Sequence, residues 1–541
     1  MLFFPARLLC ALVLLLATAT AQPAPAPSPL YHITGTVVNA ATGEPVQQAS
    51  VAALSVADHH AAASVKTDND GRFALQGLAA AKYDLVAFRR GFLLSLYDQH
   101  ELFNTAIVTG EGQRTENLIL RMTPTASLHG VVTADDGDPV ENAKVLLFLR
   151  PRSHDSSARI IQKAETNTDD IGAYDFGDLE PGEYLLAVTA APWYALHHSA
   201  LRQKPATDPS VALDVAYPVT FFDSTTDEAS ATPILLAGGS REEANINLHA
   251  VPALYLIVQA PLKQDGNVSH MELHQSIFGT YPPFEGYSTM GHNPQSGTIE
   301  VTGLAPGHYE LEQGDPPRIA ELDATASMQV DPNLGNLAIE VSGTLRSSSS
   351  ASLPNRMFLS LKSLDAMHGQ EPKNVFSNNG QFTFEFIRQG NYELTASTSD
   401  KQLPITSITI GGHSHPGNLL TVSDKPMKIV VTVSLSETRI EGFARRGEKG
   451  APGVMVVLVP KDLATFPALA RRDQSDSDGS FALRDVAPGR YIVVAIEDGW
   501  DLDWKRPEVI GRYLPKGVAV TVTESSGKLV RLSQAVPVQN P

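Results

Sequence analysis

Aromatic rings stand next to carboxylates in two segments of the sequence. Residues 281–287 read YPPFEGY, and residues 500–504 read WDLDW. Sugars stack their apolar C–H faces on such rings, and carboxylates accept hydrogen bonds from their hydroxyls. Both segments are predicted to be loops, where binding residues concentrate. The candidate carbohydrate-binding residues are Trp500, Asp501, Asp503, Trp504, Tyr281 and Tyr287.

The same rings have a second interpretation, as packing residues. Isolated aromatic side chains usually pack, so these rings can also cap the ends of domains or fill the joints between them. Trp193 and Tyr194 form a third ring pair, directly after a predicted strand, with the same two interpretations. The sequence leaves binding and packing open at all three places.

Metal-ligating side chains alternate at His270, Glu272 and His274. Alternate residues of a strand share one face, and imidazole with carboxylate can ligate zinc. One strand rarely supplies a whole metal site. We therefore interpret the stripe as the solvated face of a strand whose Met271 and Leu273 enter the core. We expect no metal and no cofactor.

Catalytic signatures are missing from the sequence. It contains neither an HExxH pair nor a GxSxG nucleophile elbow. Asp-x-Asp-Gly segments at 68–71 and 476–479 resemble the start of a calcium loop, but a strand follows each where further ligands would be needed, so we predict hairpin turns. We expect no catalytic residues and a protein that is not an enzyme.

The first residues are typical of a secretory signal peptide. Leu8 to Ala17 is apolar, and Ala19-Thr20-Ala21 supplies the small residues of a cleavage site. The apolar stretch is too short to span a bilayer stably, so we expect no transmembrane segment in the mature chain. The only cysteine, Cys10, lies inside this signal, so the mature protein has no disulfide and no cysteine nucleophile. The expected location is secreted, periplasmic or at the cell surface.

Net charge excludes one class of partner. The chain has 59 acidic and 41 basic side chains and a formal charge of −18. Such a surface repels phosphate backbones, so we expect no binding to nucleic acid. Polysaccharides or other envelope proteins are the expected partners.

A recurring pattern predicts the elements that position these residues. In each copy, a Gly-bearing turn precedes an aromatic strand, and a tyrosine opens the next strand. In the first copy Phe73 and Leu75 alternate with Arg72 and Ala74, as in a strand with one buried face. The tyrosines recur roughly every hundred residues, which is the length of a small sandwich domain. They are Tyr83, Tyr184, Tyr309, Tyr392 and Tyr491.

The motifs of each copy resemble the carboxypeptidase regulatory-like domain. Residues 33–54 read ITGTVVNAATGEPVQQASVAAL, and residues 67–75 read TDNDGRFAL. The resemblance implies a prealbumin-like (transthyretin-like), Greek-key, antiparallel β-sandwich, in a group that also contains carbohydrate-binding-like sandwiches. Copies one, two and five match well, whereas three and four diverge.

The expected architecture is therefore all-β, a tandem array of about five small antiparallel β-sandwich domains. The expected ranges are 1–21 for the signal peptide, 22–30 for a Pro/Ala-rich linker, and 31–124, 125–251, 252–339, 340–436 and 437–541 for domains 1 to 5. The expected function is a non-catalytic binding or adhesion scaffold with the shape of an extended rod. A carbohydrate-binding protein that uses loop aromatics is the alternative, and an accessory to or part of a hydrolase is a lesser one.

Overall fold

The computed structural model describes residues 29–151, 160–198, 201, 204–205, 207–259, 271–280, 282, 290–293, 296–314, 317–331, 333–364, 372–399, 401–466, 468–523 and 528–541. The predicted signal peptide 1–21 lies outside the described residues, as does linker segment 22–28. None of the helical turns in the described part of the chain has the length and apolarity that a bilayer crossing requires.

Domain 1 folds into two facing sheets. Its strands are β1 (Tyr31–Asn39), β2 (Ser50–Ser55), β3 (Ala61–Lys66), β4 (Arg72–Leu78), β5 (Lys82–Phe88), β6 (Ser95–Leu96), β7 (Ile107–Val108) and β8 (Leu118–Met122). One sheet has the order β4-β1-β8, and the other has the order β3-β2-β5-β6, with β7 also on β5. Phe73 and Leu75 are buried and Arg72 and Ala74 are exposed, which confirms the predicted alternation.

Domain 2 repeats this plan with a long insertion after its central strand. Its strands are β9 (Ala126–Ala134), β10 (Lys144–Arg150), β11 (Ile161–Asn167), β12 (Ala173–Leu179), β13 (Gly182–Thr189), β14 (Val215–Ala216), β15 (Thr220–Phe221), β16 (Ile234–Leu236), β17 (Arg241–Glu243) and β18 (Ile246–Leu248). After β13, the described residues 190–198, 201, 204–205 and 207–214 lie outside the sheets and include a 3₁₀ turn at Val211–Leu213. Another 3₁₀ turn spans Glu228–Ser230.

Domains 3 and 4 keep the two-sheet arrangement despite their divergent sequences. The strands of domain 3, with the preceding link strand β19 (Val251–Pro252), are β20 (Leu254–Gln259), β21 (Met271–Gln275), β22 (Met290–Asn293), β23 (Thr298–Leu304), β24 (Gly307–Gly314), β25 (Pro317–Ala324), β26 (Met328–Gln329) and β27 (Asn336–Leu337). Domain 4 has β28 (Ile339–Ser347), β29 (Phe358–Ser363), β30 (Lys373–Phe376), β31 (Gln381–Ile387), β32 (Gly390–Ser397), β33 (Gln402–Leu403), β34 (Ile405–Ile410), β35 (His413–Pro416), β36 (Leu419–Val422) and β37 (Met427–Val433).

Domain 5 adds a second layer to one of its sheets. Its strands are β38 (Arg439–Arg446), β39 (Lys449–Gly450), β40 (Met455–Pro460), β41 (Arg471–Gln474), β42 (Ser480–Leu483), β43 (Gly489–Ile496), β44 (Val518–Val522), β45 (Leu529–Arg531) and β46 (Val536–Gln539). Between β43 and β44 lie two 3₁₀ turns and the short helix α1 (Pro507–Ile510). A further 3₁₀ turn spans Leu463–Thr465.

Each domain has its own apolar core, which confirms the all-β tandem sandwich. The five cores begin at Ile33, Ala126, Leu256, Ile339 and Ile440. The fourth core thus starts one residue before the expected boundary, and the boundaries themselves stay a prediction. Burial of apolar area holds each sandwich together, at roughly 25 cal/mol per Å² removed from water.

The repeated tyrosine makes the same contact in all five domains. Its hydroxyl donates to the backbone oxygen four residues upstream, at 2.8 Å for Tyr184, Tyr309 and Tyr491 and at 3.0 Å for Tyr392. In domain 1, Tyr83 makes the bond at 3.3 Å. A buried ring needs such a partner for its polar end. The contact shows that the divergent domains 3 and 4 carry the same corner.

The first strand of each domain also pairs in parallel with a closing strand. These pairs are β1 with β8, β9 with β17 and β18, β20 with β26, β28 with β37, and β38 with β45. Gly35 permits the first pair, because a Cβ there would lie 2.3 Å from the Leu118 oxygen and 2.8 Å from the Phe73 ring. The Phe73 ring, on the paired strand β4, therefore occupies the space that a side chain at position 35 would need.

Every domain contacts its successor, and domain 5 contacts domain 1. The first two joints include Thr125 N donating to Gly91 O at 3.0 Å and Phe278 N donating to Glu228 at 2.8 Å. The next two include ion pairs Arg388–Glu321 at 3.2 Å and Lys401–Asp485 at 3.4 Å. At the last, Ser477 N donates to Ala106 O at 2.9 Å. The expected extended rod differs from this closed arrangement, because sequence repeats define units but not the angles between them.

Candidate functional site

The predicted WDLDW segment lies in the second layer of domain 5. All residues of β40 are buried, because the sandwich core covers one face of this strand and the segments around 463–470 and 497–514 cover the other. Trp500, Leu502 and Trp504 pack on that outer face. An unbroken apolar strand requires cover on both faces, and these rings supply part of it.

The ring of Trp500 is stacked on domain 1. Its centroid lies 5.1 Å from that of His100, with only 9° between the planes, and 5.6 Å from that of Phe103. Its Nε1 donates to the Gly453 oxygen at 3.2 Å. Trp500 therefore fills the joint between domains 5 and 1 in the described structure.

Arg472 joins the rings of this joint. Its Cζ lies 4.6 Å from the Trp504 centroid, 5.1 Å from that of Phe103 and 5.6 Å from that of Trp500. The guanidinium also pairs with Glu101 of domain 1 at 2.5 Å. Guanidinium groups stack on aromatic faces while keeping their hydrogen bonds, so one side chain can serve both domains.

Polar contacts continue along the joint. Gln474 Nε2 donates to Thr105 Oγ1 at 2.8 Å, and Val108 N donates to Ser477 Oγ at 2.8 Å. Lys82 pairs with Asp476 and donates to Ser480 Oγ at 2.9 Å. The Asp-x-Asp-Gly segment at 476–479 forms the predicted hairpin turn and also contributes Asp476 to the joint.

Two carboxyl groups near this joint hold protons unusually well. Burial raises the pKa of Asp473 to about 7, the N–H of Ala482 lowers it, and the charge of Asp476 raises it further. Burial also raises the pKa of Asp476, against the lowering effect of Lys82. A recess of about 500 Å³, where residues of domains 1, 4 and 5 meet, is lined by Asp473. The joint therefore has two carboxyl groups beside it whose pKa values lie above the ordinary value.

The remaining residues predicted to bind carbohydrate differ in exposure, and two of them are not described. Tyr281 and Tyr287 lie outside the described residues. Asp501 is exposed, whereas the Asp503 side chain is 9% exposed and lies 3.8 Å from the Arg506 Nε. The carbohydrate role of these residues stays a prediction.

The predicted His/Glu stripe acquires a partner from another strand. His270 lies outside the described residues, while Leu273 is buried and Met271 packs on the core, as expected. Glu312 of β24 lies directly opposite Glu272 of β21, and one ligand atom from each of Glu272, His274 and Glu312 falls within 4.8 Å of the others. One imidazole and two carboxylates are a donor set that a divalent metal ion can use.

A further ring-and-carboxylate site lies in domain 2, at Trp193. The Trp193 side chain is 90% exposed, and its ring packs edge-on against Tyr194 with centroids 5.7 Å apart. Beside it runs a groove of about 780 Å³, between the 135–142 turn and the 191–198 segment, which we call the Trp193 groove. Tyr217 also lines it, and burial together with nearby Tyr194 and Asp135 raises the pKa of Tyr217 to about 12.

Carboxylates surround the Trp193 groove. The acidic lining residues, all exposed, are Asp135, Asp136, Asp138, Glu141 and Asp170. No lysine or arginine occurs among the described residues that line it. From the sequence alone, Trp193 has the same two interpretations as the other rings, and its 90% exposure in the fold distinguishes it from Trp500 and Trp504.

Comparison with solved structures adds distant similarities. The Bacillus anthracis TIE protein is 12% identical, with 75% of this chain and 74% of that chain covered and a TM-score of 0.18. The minor pilin GBS52 of Streptococcus agalactiae is 13% identical over 41% of this chain and 97% of its own, with a TM-score of 0.20. The shaft pilin SpaA of Lactobacillus rhamnosus GG is 11% identical over 40% and 98%, with a TM-score of 0.19.

Comparison with protein families finds a similarity in the first two sandwiches. No curated protein matches the chain. The Carboxypeptidase regulatory-like domain family matches residues 32–117 and 127–225, in agreement with the motifs of the first two copies. The chain is therefore similar to this family over those two segments, which fall within domains 1 and 2.

Proposed function

We propose that this protein is a non-catalytic scaffold outside the cytoplasm, secreted or held at the cell envelope, whose five sandwiches close on one another and offer binding surfaces between them. The observation that carries the proposal is the joint between domains 5 and 1. A chain that acts as a string of independent modules needs no specific contact between its first and last members.

The chemistry of this joint supports a structural use of its polar side chains. Arg472 has the Glu101 carboxylate and three rings as neighbours, and Gln474 has Thr105. Side chains held by such partners fix geometry and have little freedom for chemistry. A rigid closed frame is suited to holding its outer loops at set distances, which favours binding through those loops.

Cross-linking tests the closed arrangement. The predicted mature chain, residues 22–541, has no cysteine, so Ala106→Cys with Ser477→Cys would introduce the only two thiols. Because the backbone atoms of these residues lie 2.9 Å apart, we expect efficient linking by a short bis-maleimide. The control pair, Ala106→Cys with Asp323→Cys, places the second thiol on domain 3 and should not link.

Small-angle scattering provides the second measurement. We expect a maximum dimension well below five domain lengths, and no change in it after the 106–477 link forms. The closed scaffold would be overturned, and the extended rod restored, by two results together. They are a 106–477 pair that does not link and a maximum dimension close to five domain lengths.

A second proposal is carbohydrate binding by the predicted loop residues. Its support is the exposed Asp501 beside Trp500 at the edge of the joint. A glycan panel tests it with Asp501→Ala and Trp504→Ala, and Asp498→Ala serves as a nearby acidic control. Loss of a glycan signal only in the first two variants supports the proposal, and a panel without any signal removes it.

A further inference from the structure

Domain 2 exposes an apolar patch that its own core does not use. Trp193 is 90% exposed, and Tyr194, Leu196 and Leu213 are each 36% exposed. These side chains are neighbours, since Leu196 N donates to Leu213 O at 2.8 Å and the two rings are in contact. Grouped exposed apolar side chains mark interaction sites more often than scattered ones.

The segment that presents this patch is held firmly from below. Pro192 is buried, and His197 is 9% exposed, with its Nδ1 3.0 Å from the Asp214 carboxylate. The imidazole lies against Gly303 of domain 3, where a Cβ would come within 2.8 Å of the ring. Anchors on both sides fix the 191–198 segment, so the exposed rings do not depend on a ligand for their position.

Charge selects the class of ligand. The turn opposite Trp193 carries Asp136, Asp138 and Glu141, all exposed, and Asp170 lies beside them. Among the carboxylates that line the groove, and within the described residues, only that of Asp135 contacts an imidazole, which belongs to His249. Indole is the strongest aromatic partner of a cation, and guanidinium groups pair with carboxylates in a planar geometry.

We propose that the Trp193 groove binds an arginine- or lysine-bearing peptide segment of a partner protein, with one cationic side chain over the Trp193 ring and others paired with the 136–141 carboxylates. The proposal rests on the protein's proposed role as a binding scaffold and names the surface and the partner chemistry. It extends that role, because the closed frame can exist whether or not this groove is used.

Fluorescence anisotropy with defined peptides tests the proposal on the whole predicted mature chain. The probe is a labelled Gly-Arg-Gly-Arg-Gly-Arg-Gly peptide, and its counterpart carries citrulline for each arginine, which keeps the shape and removes the charge. We expect the arginine peptide to bind, with affinity falling as salt rises from about 50 to about 300 mM, and the citrulline peptide to fail.

Matched variants separate the groove from general acidity. Trp193→Ala should weaken binding about fivefold, since it removes the ring on which the cationic side chain rests. The double variant Asp136→Asn/Asp138→Asn should weaken it about as much. The control, Glu242→Gln/Glu243→Gln, removes the same charge from exposed β17 on another part of domain 2 and should change it less than about twofold.

Four outcomes would overturn the proposal. They are an absence of peptide binding, equal weakening by both charge variants, indifference to Trp193→Ala, and binding of a neutral hexasaccharide that depends on Trp193 while the arginine peptide does not bind. None of these disturbs the 106–477 cross-link, so failure of the groove and failure of the closed scaffold are distinguishable.

Discussion

The WDLDW segment of domain 5 and the Trp193 groove of domain 2 use the same residue types in opposite ways. Trp500 has the His100 ring stacked on its face, whereas Trp193 is 90% exposed. Around Trp500 and Trp504 an arginine supplies the cation, and among the described residues around Trp193 no lysine or arginine does. Aromatic rings next to carboxylates therefore pack between domains where an arginine of the same chain lies over them. They are candidate binding sites where no such arginine is present.

Removing the ring of Trp500 should have the largest effect on stability. Trp500→Ala leaves His100, Phe103 and Arg472 without their common neighbour, and we expect a loss of about 3 kcal/mol in the free energy of unfolding of domain 5. Differential scanning calorimetry measures it. Trp500→Phe should recover part of the loss. An unchanged melting temperature in Trp500→Ala would show that Trp500 does not stabilise the joint, and the contrast with Trp193 would disappear.

The proton held by Asp473 should make the joint-bearing domain pH-sensitive. Its pKa in the folded state is about 7, above the ordinary 3.8, so the folded state binds the proton more tightly than the unfolded state. The contribution to stability is therefore fully present below about pH 4 and is lost as pH rises toward about 7. A pKa shift corresponds to about 1.4 kcal/mol per unit, and we discount the full value because the Asp473 side chain is half-buried. We therefore expect the free energy of unfolding to fall by about 2 kcal/mol over this pH range.

The difference between the wild type and Asp473→Asn isolates this group. Asparagine can still accept the Ala482 N–H, whose donor lies 2.6 Å from the Asp473 carboxylate. In urea unfolding at several pH values, the free energy of unfolding should fall more steeply between about pH 4 and 7 for the wild type than for the variant. Parallel profiles for the two proteins would contradict the raised pKa.

Losing the shared cation should open the joint with a smaller loss of stability. Arg472→Ala removes the Glu101 pair and the stacking on the rings, and we expect a cost of about 1.5 kcal/mol, since Glu101 is half-exposed. The yield of the 106–477 cross-link should fall in this background. Lys528→Ala, which removes an exposed pair with Glu437, is the control and should leave the yield unchanged.

Removing the exposed ring should have the smallest effect on the fold. Trp193→Ala should shift the free energy of unfolding by less than about 0.5 kcal/mol, because a side chain that is 90% exposed leaves little apolar area to lose. The same calorimetry applies. A loss as large as that of Trp500→Ala would show that Trp193 also packs, and the distinction between the two regions would disappear.

Much of the fold could be predicted from the sequence because the relevant signals are local. The five tyrosines and the Phe73/Leu75 alternation depend on neighbours within a few residues, and each was found where the pattern placed it. The sequence also predicts a strand at 117–122, where β8 lies, but not its parallel pairing with β1. That pairing joins residues about eighty positions apart and leaves no periodic trace.

The site could be predicted only in part, because its partners come from distant segments. His100 and Phe103 reach Trp500 from another domain, and Glu312 meets Glu272 through strand register. One signal in the sequence indicates that the WDLDW segment packs within domain 5. The unbroken apolar run of β40 indicates a strand covered on both faces, and the next ring-rich segment, WDLDW, was the nearest candidate for that cover.

Because the first and last domains belong to one chain, the bonds between them can be individually weak and still keep the joint closed. Because domains 2 to 4 already tether the two partners, their meeting is intramolecular, and its effective concentration is set by the length and stiffness of that tether. A modest patch that could not hold two free proteins together can therefore stay shut here. If it loosens for a moment, the tether returns the same two faces to each other faster than a second molecule can intervene.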